Sequence, residues 1–330
     1  MRSKIGFVLL LIACVAQFSL AVKPFQPGER VVFMGDSITH YGKWWPYIWC
    51  GYKASLPENP PLFFNAGFSG DRATGALLRL DRDVFSKHPD TVCVMFGMND
   101  VGYSNYTAEN SATDQANRKT ALEIYKDAMD QLLRRLSEKG LRCIVVTPSP
   151  YDQTLVNPDA SPVLPGYNDG LALAAGIARD LAQKYQYEVV DFHGPMTRIN
   201  VERQAEDPSE TIIGMDRIHP GDEGAKIMAK LFLDAQGIDP EGFEQTARFA
   251  DILEHVSVER HLRNIVWLED IVLRKNHIDL ADVDTAKTFL KGKYQMRGAD
   301  NLRVESYCNW RGKEDELYRR LEEIENRLSR

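Results

Sequence analysis

Short apolar runs alternate, over roughly the first 240 residues, with longer stretches whose apolar residues recur at helical spacing. The short runs are rich in Val, Ile and Phe, and they predict strands at Arg30–Met34, Leu62–Asn65, Thr91–Phe96, Arg142–Thr147 and Glu188–Phe192. The helical spacing predicts helices that begin near Trp44 and then cover Ala73–Phe85, Ala116–Lys139, Gly170–Tyr185 and Asp222–Ala235. Because continuously apolar strands are buried on both faces, we expect a parallel sheet between two layers of helices.

The composition changes near Pro240, and residues 241–330 show no clear strand pattern. Amphipathic spacing predicts helices there, at Phe249, Ile252, Leu253 and Val256 and again at Leu317, Leu321, Ile324 and Leu328. We therefore expect a main domain at 22–240 and a helical extension at 241–330. The extension either packs on the main domain or forms a homodimer interface.

Residues 1–21 have the pattern of a secretory signal peptide. Two basic residues precede the apolar stretch Ile5–Ala16, and the small residues that end at Ala21 suit cleavage after it. The apolar run is too short to favour a spanning helix. An alternative is a bacterial lipobox at Leu11–Cys14, with the lipid on Cys14, although apolar residues continue past it. We expect a secreted or periplasmic protein without a stable membrane span once the signal is removed.

The charge and the cysteines exclude some classes of function. The chain carries 40 Lys and Arg against 47 Asp and Glu, a net charge of −7, which argues against nucleic acid as its main partner. No spacing resembles a zinc site, and we expect neither a metal nor an organic cofactor. Cys93 and Cys143 fall in predicted strands, whereas Cys50 and Cys308 could form a disulfide in an oxidising compartment.

A serine, an aspartate and a histidine lie beside predicted elements. Ser37 follows the first predicted strand, in Gly35-Asp36-Ser37, and Asp216 and His219 lie three residues apart just before a predicted helix. A hydroxyl is a weak nucleophile at neutral pH and needs an adjacent base, which in turn needs an orienting acid. These positions could supply all three, so the sequence favours acyl-transfer chemistry.

Two further polar blocks follow predicted strands. They read Asn-Ala-Gly-Phe-Ser-Gly-Asp at residues 65–71 and Gly-Met-Asn-Asp at residues 97–100. With Gly-Asp-Ser at 35–37 and Asp-Arg-Ile-His-Pro at 216–220, the four blocks in this order resemble the SGNH, or GDSL-type, serine esterase/acylhydrolase family over about residues 29–236. The resemblance implies a flavodoxin-like three-layer α/β/α sandwich with a central parallel sheet, here followed by the helical extension.

The resemblance also implies catalytic roles. Ser37 would be the nucleophile, His219 the base that takes its proton, and Asp216 the acid that orients the imidazole. The oxyanion hole would use the backbone N–H groups of Ser37 and Gly70 and the side-chain amide of Asn99.

Five residues near these blocks are candidate substrate contacts: Asp36, His40, Trp44, Asp100 and Tyr103. Asp36 and Asp100 could instead hold their loops through local backbone hydrogen bonds. Trp44 lies off the apolar face of its predicted helix and could stack on a sugar ring, although core packing is the simpler interpretation.

The resemblance implies a carboxylic ester hydrolase, and the predicted signal peptide makes it a secreted one. We expect it to remove short acyl groups, above all acetyl, from a small-molecule or glycan ester. An alternative is a lipase, lysophospholipase or thioesterase, which would require an apolar groove for a longer acyl chain. A third interpretation is a non-catalytic carbohydrate-binding protein on a hydrolase fold. The acyl-enzyme could also pass its acyl group to a sugar alcohol instead of water.

Overall fold

The computed structural model describes residues 21–239, 249–293 and 299–328. Apart from Ala21, the predicted signal peptide lies outside the described residues, as does the lipid-anchor candidate Cys14. No helix within the described ranges is long and apolar enough to cross a membrane.

The described strands form one parallel sheet. They are β1 (Arg30–Gly35), β2 (Leu62–Gly67), β3 (Thr91–Met95), β4 (Arg142–Val146) and β5 (Glu188–Val190), in the order β2-β1-β3-β4-β5. All five predicted strands are confirmed, with ends that differ by at most two residues. The strand order reverses between β1 and β3, and open parallel sheets bind ligands beyond the carboxyl ends of the strands at such a point.

Helices cover the sheet in two layers, with α2 against α7 and, separately, α3 against α4 and α4 against α5. The helices of this part of the chain are α1 (Ser37–His40), α2 (Trp45–Ser55), α3 (Ala73–Asp83), α4 (Ala112–Glu138), α5 (Tyr167–Tyr185), α6 (His193–Glu206) and α7 (Asp222–Ala235). The flavodoxin-like α/β/α architecture is therefore confirmed.

Several of these helices differ from the sequence prediction: α1 was not predicted, α3 ends two residues early and α5 begins three residues early. Helix α4 begins four residues early, because Ser111 and Asp114 exchange backbone hydrogen bonds in a capping box. Helix α6 was not predicted, because it buries only His193, Met196 and Asn200 and so leaves little apolar periodicity.

The described C-terminal residues are helical, as predicted. They form α8 (Phe249–Trp267), α9 (Val283–Lys293), α10 (Ala299–Trp310) and α11 (Glu314–Leu328), and α8 runs on into a π-helical turn at Leu268–Leu273. Helix α8 packs against β2 and α2, and α10 and α11 pack against α8. The apolar seam of α11 is buried in the same core as the sheet, and in α8 Ile252 and Val256 are buried whereas Leu253 is exposed. A homodimer interface on these helices stays a prediction.

The described cysteines are all free thiols, so the suggested Cys50–Cys308 disulfide is not formed. Cys50 is fully buried on α2 among apolar side chains, and burial raises the pKa of its thiol to about 12. Cys308 lies half-buried on α10.

Candidate active site

Three of the four sequence blocks lie side by side at the carboxyl edge of the sheet. Strand β1 ends two residues before Ser37, β2 ends three residues before Gly70, and β3 ends four residues before Asn99. The fourth block lies in the loop ahead of α7, where the imidazole of His219 reaches Ser37. The fold therefore gathers residues that are about 180 positions apart in sequence.

Ser37 is the first residue of the short helix α1, and only Asp36 separates it from the end of β1. Its Oγ lies 2.7 Å from Nε2 of His219. Asp36 caps the helix by accepting the backbone N–H of Ile38 at 2.9 Å. Gly35 is required before this turn, because a Cβ there would lie 2.4 Å from Oγ1 of Thr39.

The carboxylate of Asp216 holds the imidazole through three contacts. Oδ2 lies 2.6 Å from Nδ1 of His219, and Oδ1 accepts the backbone N–H groups of His219 at 2.9 Å and Ile218 at 3.0 Å. Partial burial raises the pKa of Asp216, but the hydrogen bonds from the His219 side chain and backbone outweigh burial and lower this pKa to about 2. Since the carboxylate can only accept, the Nδ1 atom carries the proton and Nε2 is left to accept from Ser37.

Arg217, between the acid and the base, was not singled out by the sequence. Its φ of 65° lies in the left-handed region that residues other than glycine rarely adopt. Its buried guanidinium donates to the carbonyl oxygens of Asp152 at 3.0 Å, Leu155 at 3.2 Å and Ser161 at 2.5 Å. These bonds fix the backbone that presents the acid and the base. The sequence signal is weak because the acceptors are backbone atoms more than 50 residues away.

The candidate oxyanion donors lie on loops that other residues hold in place. Gly70 has a φ of 77°, and the space on its Cβ side is open. The side-chain amide of Asn99 donates to the carbonyl of Asp71 at 2.8 Å, which uses one of its two hydrogens and leaves the other for a substrate oxygen.

Asp36 and Asp100 are buried under the site and bonded to backbone. Asp100 accepts the N–H of Ala73 at 2.8 Å and of Gly97 at 3.0 Å, which ties the start of α3 to the loop after β3. Burial raises the pKa of Asp100 to about 7 and that of Asp36 to about 6, and the charge of Asp36 adds to the shift on Asp100. Both carboxyls therefore bond to the nearby backbone, which is the alternative to a substrate contact that the sequence offered.

His40 is fully buried beneath the loop after β2. Its Nδ1 accepts the backbone N–H of Ser69 at 3.1 Å and lies 3.0 Å from the hydroxyl of that serine. Burial, followed by the nearby guanidinium of Arg263, lowers the pKa of His40 well below its usual range, so the ring is neutral. The structure places this ring against Ser69, under the loop.

The two aromatic candidates differ in exposure. Trp44 is 1% exposed and packs edge-on against Phe33 and Phe192. Tyr103 is 48% exposed and contacts the edge of Tyr167, whose hydroxyl donates to the carbonyl of Met98. Tyr103 therefore presents a ring to solvent beside the block that contains Asn99.

A pocket of about 410 Å³ lies beside the imidazole of His219. The ring of Tyr41 forms one wall, with its centroid 5.4 Å from that of His219. Lys43 also lines the pocket and pairs with the exposed Asp222 at 2.8 Å. Most of the other lining side chains are apolar: Ile38, Trp44, Met215, Pro220, Ala225 and Met228. Among the described residues, no group of three or more His, Cys, Asp or Glu is arranged to hold a metal ion.

The family model described as the GDSL-like lipase/acylhydrolase family matches residues 33–227, which include all four blocks. The chain belongs to the GDSL-like lipase/acylhydrolase family. This assignment places it among the carboxylic ester hydrolases and confirms the resemblance stated from the sequence.

Relatives of this GDSL-like chain include an acetylxylan esterase of Geobacillus stearothermophilus, 34% identical over 89 residues. The match spans 22% of the chain and 41% of the esterase, so it covers less than half of that curated relative. The solved structure titled BT4096, a gut microbial diltiazem-metabolizing enzyme, covers 94% of the chain and 96% of its own length at 22% identity, with a TM-score of 0.79. The solved structure of Axe2, an acetylxylan esterase from Geobacillus stearothermophilus, covers 65% of the chain and 96% of its own length at 22% identity, with a TM-score of 0.50.

At these identities the two solved structures show a shared fold. Because the first covers nearly the whole GDSL-like chain, the similarity extends from the α/β domain into the C-terminal helices.

Proposed function

We propose that the chain is a serine esterase that removes acetyl or other short acyl groups from carbohydrate esters through an acyl-enzyme on Ser37. The observation that carries the proposal is the continuous contact from Asp216 to His219 at 2.6 Å and from His219 to Ser37 at 2.7 Å. The partial match to an acetylxylan esterase supports acetyl as the acyl group and a sugar as the alcohol.

The first half of the reaction forms the acyl-enzyme. Oγ of Ser37 attacks the ester carbonyl carbon while Nε2 of His219 takes the hydroxyl proton, and Asp216 stabilises the resulting imidazolium. The carbonyl oxygen gains negative charge and accepts hydrogen bonds from the backbone N–H groups of Ser37 and Gly70 and from the amide of Asn99. As the tetrahedral state collapses, the C–O bond breaks and His219 returns the proton to the leaving alcohol.

The second half repeats these steps with water as the nucleophile. His219 takes a proton from water, the acyl group leaves as the carboxylic acid, and Ser37 regains its proton. A sugar hydroxyl in place of water would give acyl transfer.

The pocket beside His219 supports a position for the alcohol. Because His219 protonates the leaving oxygen, the alcohol part of the ester lies on the imidazole side of Ser37, where this pocket opens. The aromatic ring of Tyr41 suits the C–H face of a sugar. The exposed ring of Tyr103 offers a second such surface on the Asn99 side.

The apolar lining of the same pocket favours a second candidate, an esterase for apolar alcohols or, with the acyl group in this pocket instead of the alcohol, for longer acyl chains. Ile38, Trp44 and Met228 offer no hydroxyl or charge to a sugar. The catalytic steps would be unchanged, and only the groups on either side of the ester would differ.

Export is a separate part of the proposal and rests on the pattern of residues 1–21. Expression of the full chain with its leader in a bacterial host tests it. Recovery outside the cytoplasm with a new N-terminus after Ala21 is expected, and an intact N-terminus in the cytoplasm would refute it.

A chain-length series tests the substrate. Hydrolysis of p-nitrophenyl acetate, butyrate and octanoate is measured with the wild type and Ser37→Ala, together with acetate release from acetylated xylan. We expect serine-dependent turnover that is fastest on acetate. Because each buried methylene contributes about 0.8 kcal/mol, a rise of roughly fourfold in kcat/KM per methylene would favour the second candidate. Glycan binding without turnover would instead favour a binding protein.

A further inference from the structure

Two side chains of α8 bond to the free edge of β2. Among the described strands β2 is at the end of the sheet, so one side of its backbone has no strand partner there. Glu259 accepts the backbone N–H of Asn65 at 2.9 Å, and Arg263 donates to the carbonyl of Gly67 at 2.9 and 3.1 Å. Helix α8 thereby covers the kind of exposed edge that proteins usually protect.

The series continues past the end of the strand. Trp267 donates its indole N–H to the carbonyl of Ser69 at 2.9 Å. Residues four apart on a helix are separated by about 6 Å along its axis, and alternate residues of a strand by about 6.6 Å. Three side chains on one face of α8 therefore match alternate positions of β2 and its exit loop.

The bond from Trp267 is made to the peptide group between Ser69 and Gly70. The carbonyl of Ser69 and the N–H of Gly70 belong to the same planar trans peptide and point in opposite directions. A donor that fixes this carbonyl therefore also fixes the direction of the Gly70 N–H. A hydrogen bond to the carbonyl also polarises the amide and strengthens its N–H as a donor.

Gly70 cannot fix this peptide by itself. Its φ of 77° and the open space on its Cβ side leave the peptide free to rotate unless neighbours hold it. His40 accepts the N–H of Ser69 at 3.1 Å from one side, and Trp267 holds the carbonyl from the other. The guanidinium of Arg303 lies 4.1 Å from the centroid of the Trp267 ring and holds the indole in turn.

We infer that α8 is a positioning element for ester hydrolysis, in which Trp267 fixes the Ser69–Gly70 peptide so that the Gly70 N–H is aimed at the oxyanion. The inference rests on the proposed function and gives the C-terminal helices a part in it. Trp267 touches neither the substrate nor the reacting atoms, so it acts through Gly70.

The test is Trp267→Phe, which keeps an aromatic ring and removes the N–H. Loss of a whole oxyanion donor costs about 100- to 1000-fold, so a donor that is present but poorly aimed should lower kcat/KM on p-nitrophenyl acetate by roughly 10-fold. The Ki of a boronic acid, which forms a tetrahedral adduct with the serine, should rise by the same factor. A purely structural role would lower the thermal midpoint without this matched change.

Trp310→Phe is the control. It makes the same substitution on α10, where the ring contacts His261 instead of the loop after β2. We expect its kcat/KM and Ki to remain within about twofold of the wild type, because it removes no donor to Ser69. If Trp267→Phe does not fold, a benzothiophene analogue at position 267, which replaces only the N–H by sulfur, takes its place.

The outcomes separate the two proposals. If the wild type hydrolyses the ester and Trp267→Phe has the same kcat/KM and Ki, the inference is overturned and the proposed esterase stays intact. The same holds if Trp310→Phe loses as much activity as Trp267→Phe. A wild type that hydrolyses no ester would overturn the proposed function and, with it, this inference.

Discussion

One oxygen of Asp216 lies 2.6 Å from Nδ1 of His219, and the other accepts the backbone N–H of the same histidine at 2.9 Å. A single carboxylate therefore fixes both the ring and the loop that carries it. Because the acid and the base are three residues apart, one loop carries both groups, and Arg217 ties that loop to carbonyl oxygens of distant segments. Disturbing the carboxylate should change the tautomer of the ring and the order of the loop together.

Asp216→Asn should lower kcat/KM on p-nitrophenyl acetate by about 10³- to 10⁴-fold. The amide presents N–H groups to Nδ1 and favours the tautomer whose Nε2 cannot accept the serine proton. Steady-state kinetics on the folded variant measure this. Asp222→Asn, at an exposed position at the start of α7, should stay near wild type. A loss of less than 10-fold in Asp216→Asn would remove Asp216 from the proposed triad.

Asn99→Ala should lower kcat by about 100- to 1000-fold, because it removes a donor that is needed only when charge forms on the carbonyl oxygen. The variant also loses the bond to the carbonyl of Asp71, so its thermal midpoint should be measured beside its kinetics. A kcat within threefold of the wild type would exclude this amide from the oxyanion hole.

Arg217→Met should lower both stability and kcat/KM. Three carbonyl oxygens, two of them in buried bonds, would lose their donor, at a cost of about 2 to 4 kcal/mol in the free energy of unfolding, and the left-handed backbone would lose its anchor. Urea unfolding and ester hydrolysis measure the two effects. Arg198→Met, at an exposed position on α6, is the matched control and should change neither. Unchanged stability and kcat/KM in Arg217→Met would show that the loop keeps its conformation without these bonds.

Asp100 should make the protein less stable as the pH rises from about 4 to 7. Its folded pKa of about 7 lies above the ordinary 3.8, so the folded state binds the additional proton in this window and stability falls as pH increases. In Asp100→Asn this contribution is absent. The difference in unfolding free energy between wild type and variant should therefore change between pH 4.5 and pH 7.5, on the order of 2 kcal/mol. A constant difference would show that Asp100 does not titrate in this way.

Asp216 should act in the opposite sense and at lower pH. Its folded pKa of about 2 lies below the ordinary value of 3.8, so its contribution to stability is present above about pH 4 and is lost as the pH falls toward 2. Urea unfolding of the wild type and Asp216→Asn at pH 5 and pH 2.5 measures it. The wild type should lose more stability than the variant, and equal losses would contradict the assignment.

The sequence predicted the sheet well, because strands buried on both faces are continuously apolar, as in β3 and β4. It also predicted that Ser37 and His219 belong to one site, because four short blocks with known spacing precede or follow regular elements. Helix α6 was missed because its buried positions are few.

Contacts between distant segments could not be predicted. Arg217 and Trp267 both donate to backbone carbonyls far away in sequence. Every residue has a backbone carbonyl, so the identity of the accepting residue does not reveal the bond. The burial of His40 was equally hidden, since this residue lies three positions after the nucleophile in the sequence but under the loop after β2 in the fold. A polar residue near a motif thus indicates proximity to the site without showing which way its side chain points.

The central claim is that Ser37 is the nucleophile of an esterase, and the rate of p-nitrophenyl acetate hydrolysis by the wild type and Ser37→Ala tests it most directly. We predict turnover by the wild type and a loss of at least about 10³-fold in the variant, with unchanged thermal unfolding. Undiminished hydrolysis by Ser37→Ala would contradict the account.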